Sequence, residues 1–462
     1  MKKLKAFLLI SFSILNCVAC GQTDLKDETL NEVEVKEKVV PDMGGYKCKL
    51  LQWGFTDTAD GDLLFYKQDT YLYDLAAQRI SDVEALYNCD IEFQYSPISA
   101  DLLNTIVGNI ASGTSDGDII SVIELIKIAS LVSSDCLYPL TDLKNIIDYE
   151  DSEKYGSAGL LEVAMKDSIP YAVTGAMLPL KQCLSGLPLG VFNAGVVADY
   201  GLTDLREYYE KKEWTWDTFE TFLTDYTIVE GEKKIFAVET PSAWFIQGAM
   251  RSNGVEYAVE KDGKVVSGLD SVNTLQAFDW VKKVYKDFPD SINYKNVMMN
   301  EHIAAGTSIL IFTEAIHIRD RIAYEVDNFG IVPFPCGPLG KYGESSTFSA
   351  MEAYGIIKNS EEPEYVAYIL SSILEPFKEY LDKESLMTYY DNIFHDRRDI
   401  ELYLSIDKYA RHAYEPQGAT IYYFADNISK KSSAEMIQSF APQFNLVVEK
   451  YIAPNYEYMS TH

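Results

Sequence analysis

The sequence is short of positive charge. It carries 40 Lys and Arg against 70 Asp and Glu, a formal net charge of −30 at pH 7. Nucleic-acid binding requires clustered basic side chains, and the tight basic groups here are short ones such as Lys211-Lys212 and Arg397-Arg398. Nucleic acid is therefore excluded as a partner. We interpret the acidic excess as a solubility feature, because net charge governs association and not fold or site.

Catalytic and metal-binding motifs are also missing. The five histidines lack the spacing of a metalloprotease helix, and the chain has no Gly-x-Ser-x-Gly turn, phosphate-binding loop or dinucleotide-binding glycine pattern. We predict no enzyme activity, no cofactor and no metal. The cysteines beyond residue 20 are scattered without metal-ligand spacing, which predicts mostly buried thiols. They are Cys48, Cys89, Cys136, Cys183 and Cys336.

The chain has no apolar run long enough to span a bilayer, but a shorter one stands near its N-terminus. Three lysines among the first five residues precede an apolar stretch at 6–15. This stretch is too short for a transmembrane helix and is typical of a signal peptide. The next residues, Cys-Val-Ala-Cys-Gly at 17–21, resemble the lipobox of bacterial lipoproteins. We predict a lipoprotein signal peptide at 1–19 and lipidation, including palmitate, at Cys20.

Three other interpretations of this terminus stay open. Cleavage before Cys17 would place Asn16 where a small residue is expected. The spacing from Cys17 to Cys20 is that of a redox motif, although both residues lie in a segment destined for removal or acylation. A secreted product without lipid is the third. The segment after Cys20 is acidic and free of aromatic residues, a composition that stays extended, so we predict a lipid anchor and acidic tether at 20–45.

A folded body with alternating strands and helices follows the tether. Apolar runs at 48–53, 90–95 and 118–122 predict short strands, and the periodic patterns at 68–88 and 100–111 predict the helices between them. Strand-helix alternation at these lengths indicates parallel pairing with right-handed crossovers, hence an open α/β sheet. In such sheets ligands bind outside the carboxyl ends of the strands.

Seven segments of the body carry motifs of one protein family. They are Ile-Ala-Ser-Gly-Thr-Ser-Asp-Gly-Asp-Ile-Ile at 110–120, the Leu-Tyr-Pro-Leu turn within 131–143, Asp-Ser-Ile-Pro-Tyr-Ala-Val at 167–173, Leu-Gly-Val-Phe-Asn at 189–193, Trp-Thr-Trp-Asp-Thr-Phe at 214–219, Ala-Gly-Thr-Ser-Ile-Leu-Ile-Phe at 305–312 and Phe-Gly-Ile-Val-Pro-Phe-Pro at 329–335. In this order they resemble the extracellular solute-binding proteins of bacterial ABC importers, of the maltose-binding type. The resemblance covers about 46–450.

The resemblance implies a two-lobe, periplasmic-binding-protein-like (type II) α/β fold with hinge strands and an interlobe cleft. The lobes of such proteins close around the ligand. By resemblance, lobe 1 comprises 46–173 plus 351–395, and lobe 2 comprises 174–350 plus 396–462. A monomer is expected.

Candidate ligand-binding residues in lobe 1 follow the predicted strands. Trp53 and Phe55 come after the first strand, where an aromatic face could stack on a sugar ring, although either could pack in the core instead. Glu124 comes after the third strand, where a carboxylate would point into the crevice. The loop with Asp57, Asp60 and Asp62 departs from the calcium-loop spacing, so we interpret it as a solvated acidic loop.

Candidates in lobe 2 and at the crossings rest on the resemblance. Trp244 closes the segment Glu-Thr-Pro-Ser-Ala-Trp, where the family supplies an aromatic and polar wall; a core position is its alternative. Glu314 stands where family members often carry Gly-x-Trp, and Ser349 and Glu352 lie at the second crossing between lobes. Trp214 and Trp216 are assigned to structure, because their motif caps a helix.

These features predict a lipid-anchored solute receptor on the extracytoplasmic face of the cell membrane, which delivers its ligand to an ABC permease. The 33 tyrosines and the aromatic candidates favour an oligosaccharide. A peptide or another polar metabolite stays open as the ligand. Two other classes also stay open: a surface-anchored glycan-degrading enzyme, since paired carboxylates are easily found among 70 acidic residues, and an adhesion lipoprotein.

Overall fold

The fold is known from a computed structural model. It describes residues 40–54, 61, 63–64, 66, 68–97, 100–122, 125–155, 164–175, 188–294, 299–314, 317–318, 322–345, 347–348, 353–380, 382–405, 411–412 and 419–456. None of the helices in these ranges is long and apolar enough to cross a membrane. The predicted signal peptide, Cys20 and most of the tether lie outside the described residues.

The described residues form seventeen strands, most of them short. In chain order they are β1 (Tyr46–Gly54), β2 (Cys89–Pro97), β3 (Ile119–Val122), β4 (Met165–Lys166), β5 (Ile169–Pro170), β6 (Ala172–Thr174), β7 (Pro188–Asn193), β8 (Ile228–Glu230), β9 (Lys233–Glu239), β10 (Ala258–Lys261), β11 (Lys264–Ser267), β12 (Ile292–Asn293), β13 (Ser308–Glu314), β14 (Phe329–Val332), β15 (Thr347–Phe348), β16 (Ala353–Ile356) and β17 (Arg411–His412). The three predicted strands are confirmed as β1, β2 and β3.

Sixteen α-helices lie within the same described ranges. They are α1 (Tyr71–Tyr87), α2 (Ala100–Ser112), α3 (Leu125–Ser133), α4 (Ser152–Tyr155), α5 (Ala194–Asp199), α6 (Leu205–Glu210), α7 (Trp216–Asp225), α8 (Ser242–Ser252), α9 (Val272–Asp287), α10 (Met299–Ala304), α11 (Ala323–Glu325), α12 (Pro363–Ile373), α13 (Lys383–Tyr390), α14 (Arg397–Ser405), α15 (Ala419–Asn427) and α16 (Ser433–Val447). The two predicted helices are confirmed as α1 and α2.

Helix α1 shows how the local sequence fixes an element. The Thr70 side chain accepts a hydrogen bond from the Tyr73 backbone N–H at 3.3 Å and caps the first turn. Asn88 ends the helix in the left-handed conformation, with φ 53°. The side chains at helical spacing between these caps are buried, as the sequence pattern predicts. They are Leu72, Ala76, Ile80, Val83 and Tyr87.

The first sheet has the strand order β2-β1-β3-β16-β6. β1 pairs in parallel with β2 and β3, which confirms the predicted parallel sheet. β16 is antiparallel to both of its neighbours, β3 and β6. Because β16 comes so late in the chain, this sheet is assembled from segments that the whole second sheet separates in sequence.

The second sheet has the order β12-β9-β13-β7-β14, and β8 pairs with β9 outside this path. β9 is parallel to β12 and β13. β7 is antiparallel to β13 and β14. All five strands of this order come from the part of the chain between β6 and β16, while the boundaries of the two lobes stay predictions.

Both faces of the first sheet are buried under helices. Leu50 and Ile119 face one apolar cluster, which also contains the buried side of α1. Their neighbours Leu51 and Ile120 face another, which contains residues of α2 and α3. This alternation follows from the twofold periodicity of a strand, and it explains why these strands are apolar throughout.

The core of the second sheet is rich in aromatic side chains. Trp214 and Trp216 are 1% and 4% exposed, and the Trp216 ring stacks on Trp280 with centroids 4.2 Å apart. Thr215, between the first two, caps α7 by accepting from the Thr218 N–H at 3.4 Å. The structural role predicted for Trp214 and Trp216 is therefore confirmed.

The four described cysteines are free thiols. Cys48 and Cys136 are buried, as predicted, whereas Cys89 and Cys336 are half-buried. Burial, with a smaller contribution from nearby carboxylates, raises the pKa of Cys89 to about 11, so this thiol is a weak nucleophile at neutral pH. Cys183 lies outside the described residues.

Candidate functional site

The carboxyl edge of the first sheet is a continuous row of four backbone positions. Trp53 is paired with Val122, Val122 with Ala353, and Ala353 with Thr174. β1, β3 and β6 end at or next to this row and β16 begins in it. The ends of β1, β3 and β6 and the start of β16 therefore lie at one edge of the sheet. This is the edge at which an open α/β sheet binds ligands.

The candidates of lobe 1 and of the second crossing flank this row in the sequence. Phe55, Glu124, Ser349 and Glu352 lie outside the described residues, as do Asp57, Asp60 and Asp62 of the acidic loop. Only the backbone of Trp53 is described. The ligand-binding role of these residues accordingly stays a prediction.

At the carboxyl edge of the second sheet, Glu239 is the last residue of β9 and is fully buried. Its Oε1 accepts a hydrogen bond from the Asn293 side-chain amide at 2.7 Å. Its Oε2 lies 3.3 Å from His302 Nδ1, which is itself 2.9 Å from Thr307 Oγ1. The buried carboxylate is thus held by one hydrogen bond from β12, while its Oε2 lies near the His302 ring without a hydrogen bond from any described residue.

The sequence pattern indicates Glu239 only as the start of the segment that ends at Trp244, and it indicates neither Asn293 nor His302. The signal that identifies Asn293 is the strand register, because β12 places it directly opposite Glu239. His302 comes from α10, which no local pattern connects to β9. Both contacts depend on pairing between distant segments.

The turn after β9 is held against β12. Thr240 N–H donates to the Asn293 carbonyl at 3.1 Å, and Ser242 N–H donates to the Tyr294 carbonyl at 3.2 Å. Pro241 precedes the first turn of α8 in an extended conformation, which proline adopts readily. These contacts set where α8 begins relative to the sheet edge.

Trp244 lies in the first turn of α8 and is half-buried. Its ring packs against residues of two apolar clusters, one on each face of the second sheet. Nearby, Tyr285 donates to Ser242 Oγ at 3.1 Å and stacks on Tyr294 with centroids 3.8 Å apart. Tyr285 is buried, and this burial raises the pKa of its phenol.

Glu314 is the last residue of β13 and is paired with Pro188. Since Ile311 of the same strand is paired with Glu239, Glu314 stands three positions further along the strand direction. Its side chain is outside the described residues, and its role stays a prediction. Across the described ranges, no group of three His, Cys, Asp or Glu side chains could hold a metal ion.

A sequence profile of one family matches residues 78–376, more than half of the chain, and its description is bacterial extracellular solute-binding protein. The chain belongs to this family. The resemblance to extracellular solute-binding proteins of ABC importers is thereby confirmed. The lipid anchor stays a prediction. Members of the family are binding proteins and not enzymes, which removes the glycan-degrading alternative.

Solved structures confirm the two-lobe fold of the solute-binding protein. Three similar ones are a sugar transporter protein from Rhizobium etli in an open conformation (TM-score 0.64, 15% identity, 87% of this chain and 99% of that chain), the cyclic α-maltosyl-1,6-maltose binding protein from Arthrobacter globiformis (0.61, 14%, 88% and 100%) and the acarbose-binding GacH receptor from Streptomyces glaucescens (0.60, 12%, 88% and 99%). At these identities the likeness shows the fold alone. A search of curated proteins finds no match.

Proposed function

We propose that this solute-binding protein captures an oligosaccharide between its two lobes and delivers it to an ABC permease. The observation that carries the proposal is the carboxyl edge of the second sheet. There Trp244 follows the turn after β9, and hydrogen bonds from Thr240 and Ser242 hold this turn against β12 and the residue after it. An aromatic ring beside hydrogen-bonding groups suits a sugar, whose faces are apolar and whose rim carries hydroxyls. The three similar structures named above are, by their descriptions, a sugar transporter and binders of a cyclic maltose derivative and acarbose.

The remaining candidates complete this proposal at the edge of the first sheet. Trp53 and Phe55 would stack on the ligand, and Glu124 and Glu352 would accept hydrogen bonds from its hydroxyls. Glu314 and Ser349 would contribute the same kind of contact from the second lobe and the crossing. Ligand contacts from both lobes would favour the closed form, because a ligand shifts the equilibrium toward the state that it binds better.

The ligand class can be tested by thermal unfolding of residues 21–462 against a panel of oligosaccharides and peptides. A ligand at 100 times its dissociation constant adds about 2.7 kcal/mol to the free energy of unfolding. We expect a glycan to raise the melting temperature and peptides to leave it unchanged. Stabilisation by peptides, with none by any glycan, would show that the carbohydrate assignment is wrong.

The role of Trp244 can be tested by Trp244→Ala and Trp244→Phe. We expect the alanine variant to bind the glycan roughly threefold to tenfold more weakly, since it loses the stacking surface, and the phenylalanine variant to retain most of the affinity. Isothermal titration measures both, and circular dichroism checks that the variants are folded. An unfolded alanine variant would indicate a core role for Trp244 instead.

We also propose that Cys20 carries the lipid anchor and that 20–45 holds the receptor close to its permease on the extracytoplasmic face. Two acyl chains hold a protein on a membrane where one chain is marginal. The Cys20→Ala variant should appear in the culture medium, whereas the unchanged protein should remain with the membrane fraction. Release of the unchanged protein would contradict the anchor.

A further inference from the structure

The hairpin formed by β4 and β5 belongs to the body of the first sheet. Ala164, just before it, packs in the same apolar cluster as Leu51 and Ile120. Tyr171, just after it, donates its N–H to the Ala164 carbonyl at 2.9 Å and leads directly into β6. The hairpin therefore stands immediately before the point where the chain leaves the first sheet.

The C-terminal segment belongs to the body of the second sheet. A π-helical turn at Val448–Ile452 and a 3₁₀ turn at Ala453–Asn455 continue α16. Val448 and Ile452 are buried in the aromatic-rich core of the second sheet. Both turns contact β11, and the 3₁₀ turn also contacts β4. This segment thus spans from the second body to the hairpin of the first.

Asn455 makes the connection with its side-chain amide. Its Oδ1 accepts a hydrogen bond from the Ser168 backbone N–H at 2.8 Å. Its Nδ2 donates to the Met165 carbonyl at 3.1 Å and to the Tyr451 carbonyl at 3.1 Å. Asn455 is only 1% exposed, so water has little access to its side-chain amide. One amide thereby ties the backbone of the hairpin to the backbone of the C-terminal turn.

The shape of the hairpin makes the contact possible. Asp167 and Ser168 form its two-residue turn with φ of 53° and 62°, the left-handed conformation of the tight turn that matches strand twist. The Ser168 N–H is bonded to Asn455, and Ser168 Oγ donates to the Pro454 carbonyl at 3.4 Å. The turn is therefore docked through its backbone, and the serine side chain adds only a long contact.

We propose that Asn455 is a non-covalent clasp between the two lobes, placed beside the hinge, which restricts how far they rotate relative to each other. The clasp joins the hairpin that precedes the first crossing to a segment rooted in the other core. It leaves the carboxyl edges free, so that it limits opening without contacting a ligand. This inference goes beyond the proposed function and holds for any solute, because hinge motion is a property of the two-lobe fold.

The test measures lobe motion in ligand-free protein. Spin labels on Leu86→Cys in α1 and Val229→Cys in β8, both well exposed, report the interlobe distance by pulsed electron resonance. Protein without the added cysteines shows how much label the native thiols take up. We expect Asn455→Ala to broaden the distance distribution and to speed exchange of the Ser168 amide hydrogen by up to about tenfold, the loss of one hydrogen bond.

Two matched controls isolate the clasp. Asn445→Ala removes an exposed asparagine from α16, and Ser168→Gly keeps the backbone N–H in a conformation that glycine tolerates; both should retain the narrow distribution. Asn455→Asp keeps an acceptor for the Ser168 N–H but places an oxygen against the Met165 and Tyr451 carbonyls. If Asn455→Ala does not fold, Asn455→Asp takes its place, and we expect it to broaden the distance distribution in the same way.

A distance distribution for Asn455→Ala and Asn455→Asp that matches Asn445→Ala would overturn the clasp. Faster Ser168 exchange with an unchanged distribution would overturn it as well, because the bond would then be purely local. Neither result depends on any glycan. A failure of the clasp is therefore distinguishable from a failure of the proposed oligosaccharide function.

Discussion

Asp118 in the first sheet and Asp399 beside the second each tie separate segments of chain together with one carboxylate. Asp118 is half-buried. It accepts hydrogen bonds from Tyr46 Oη at 2.9 Å, from the Lys49 N–H at 2.9 Å and from Ser360 Oγ at 2.7 Å. All three donors are neutral, so the charge of the carboxylate is balanced mainly by solvent.

Asp399 is 1% exposed and faces a charged partner. Arg206 donates to it from Nε at 3.0 Å and from Nη2 at 2.7 Å, and the Ile331 N–H donates at 3.0 Å. Arg206 Nη2 also donates to the Phe329 carbonyl at 2.9 Å. Since β14 is the last strand in the sheet order, the pair occupies backbone groups on its open edge, and an occupied edge cannot pair with another chain.

We expect burial and the charge of the partner, and not the number of hydrogen bonds, to decide how strongly each carboxylate stabilises the fold. Each aspartate accepts three bonds from the groups named above. Removing Asp118 leaves neutral donors that water can reach in part. Removing Asp399 takes from the buried Arg206 guanidinium its buried counter-charge and leaves it the partly exposed Asp204, whose Oδ2 accepts from Nη1 at 2.8 Å. A buried charge that loses its buried partner costs more than a lost surface hydrogen bond.

The largest effect is therefore expected for Asp399→Ala. It should lower the free energy of unfolding by about 3 kcal/mol, because Arg206 stays buried and keeps only partly exposed carboxylates, such as Asp204, beside it. Urea unfolding followed by tryptophan fluorescence measures the change. The control is Glu401→Ala in the same helix, α14, whose partner Arg397 is 75% exposed and whose loss should cost at most about 1 kcal/mol. Equal losses in the two variants would contradict the role of burial.

Asp118→Ala should give a smaller loss, about 1–3 kcal/mol, as the hydrogen bonds to one half-buried carboxylate disappear. The same urea titration applies. Asp118→Asn, which retains a carbonyl acceptor, should recover part of the loss. If Asp118→Ala costs as much as Asp399→Ala, the first sheet depends on its carboxylate as strongly as the second, and the contrast between them fails.

The first sheet was largely predictable because its early elements are local. β1, α1, β2, α2 and β3 follow one another along the chain, and their apolar periodicity is visible in each segment. The second sheet was predictable only by resemblance. Its decisive contacts join distant residues, as in the pair of Arg206 and Asp399, which are 193 positions apart. No periodicity encodes such a pair.

The candidate site divides in the same way. Positions that follow strands, such as Trp53, could be named from the alternation of elements, and the register places the Trp53 backbone on the edge row. Asn293 and His302, which lie beside Glu239, could not be named in this way, because they belong to β12 and α10, far from Glu239 in the sequence. The half-burial of Trp244 between two apolar clusters also depends on tertiary packing, which a local sequence pattern does not contain.

The smallest expected effect concerns Asp396, whose carboxylate lies 3.9 Å from Arg206 of the buried Arg206–Asp399 pair. Its contribution to stability can be separated from that of the pair because it changes with pH. Its carboxylate accepts from Arg398 Nη2 at 2.7 Å and from Nε at 3.0 Å. The Arg398 hydrogen bond, with burial opposing it, lowers the pKa of Asp396 from its ordinary value of 3.8 to about 2. A depressed folded-state pKa stabilises the protein above the unfolded value, and this contribution is lost as pH falls from about 4 through 2.

Asp396→Asn should therefore cost about 1 kcal/mol at pH 6, a value kept small because the side chain is 28% exposed. The difference between the variant and the unchanged protein should shrink toward zero as the pH approaches 2, since protonation then removes the same charge from Asp396. Urea titrations at pH 6, 4 and 3 measure it. A difference in the free energy of unfolding that stays constant over this range would mean that Asp396 contributes by packing rather than by charge. The charge contribution at this side of the second sheet would then not come from Asp396.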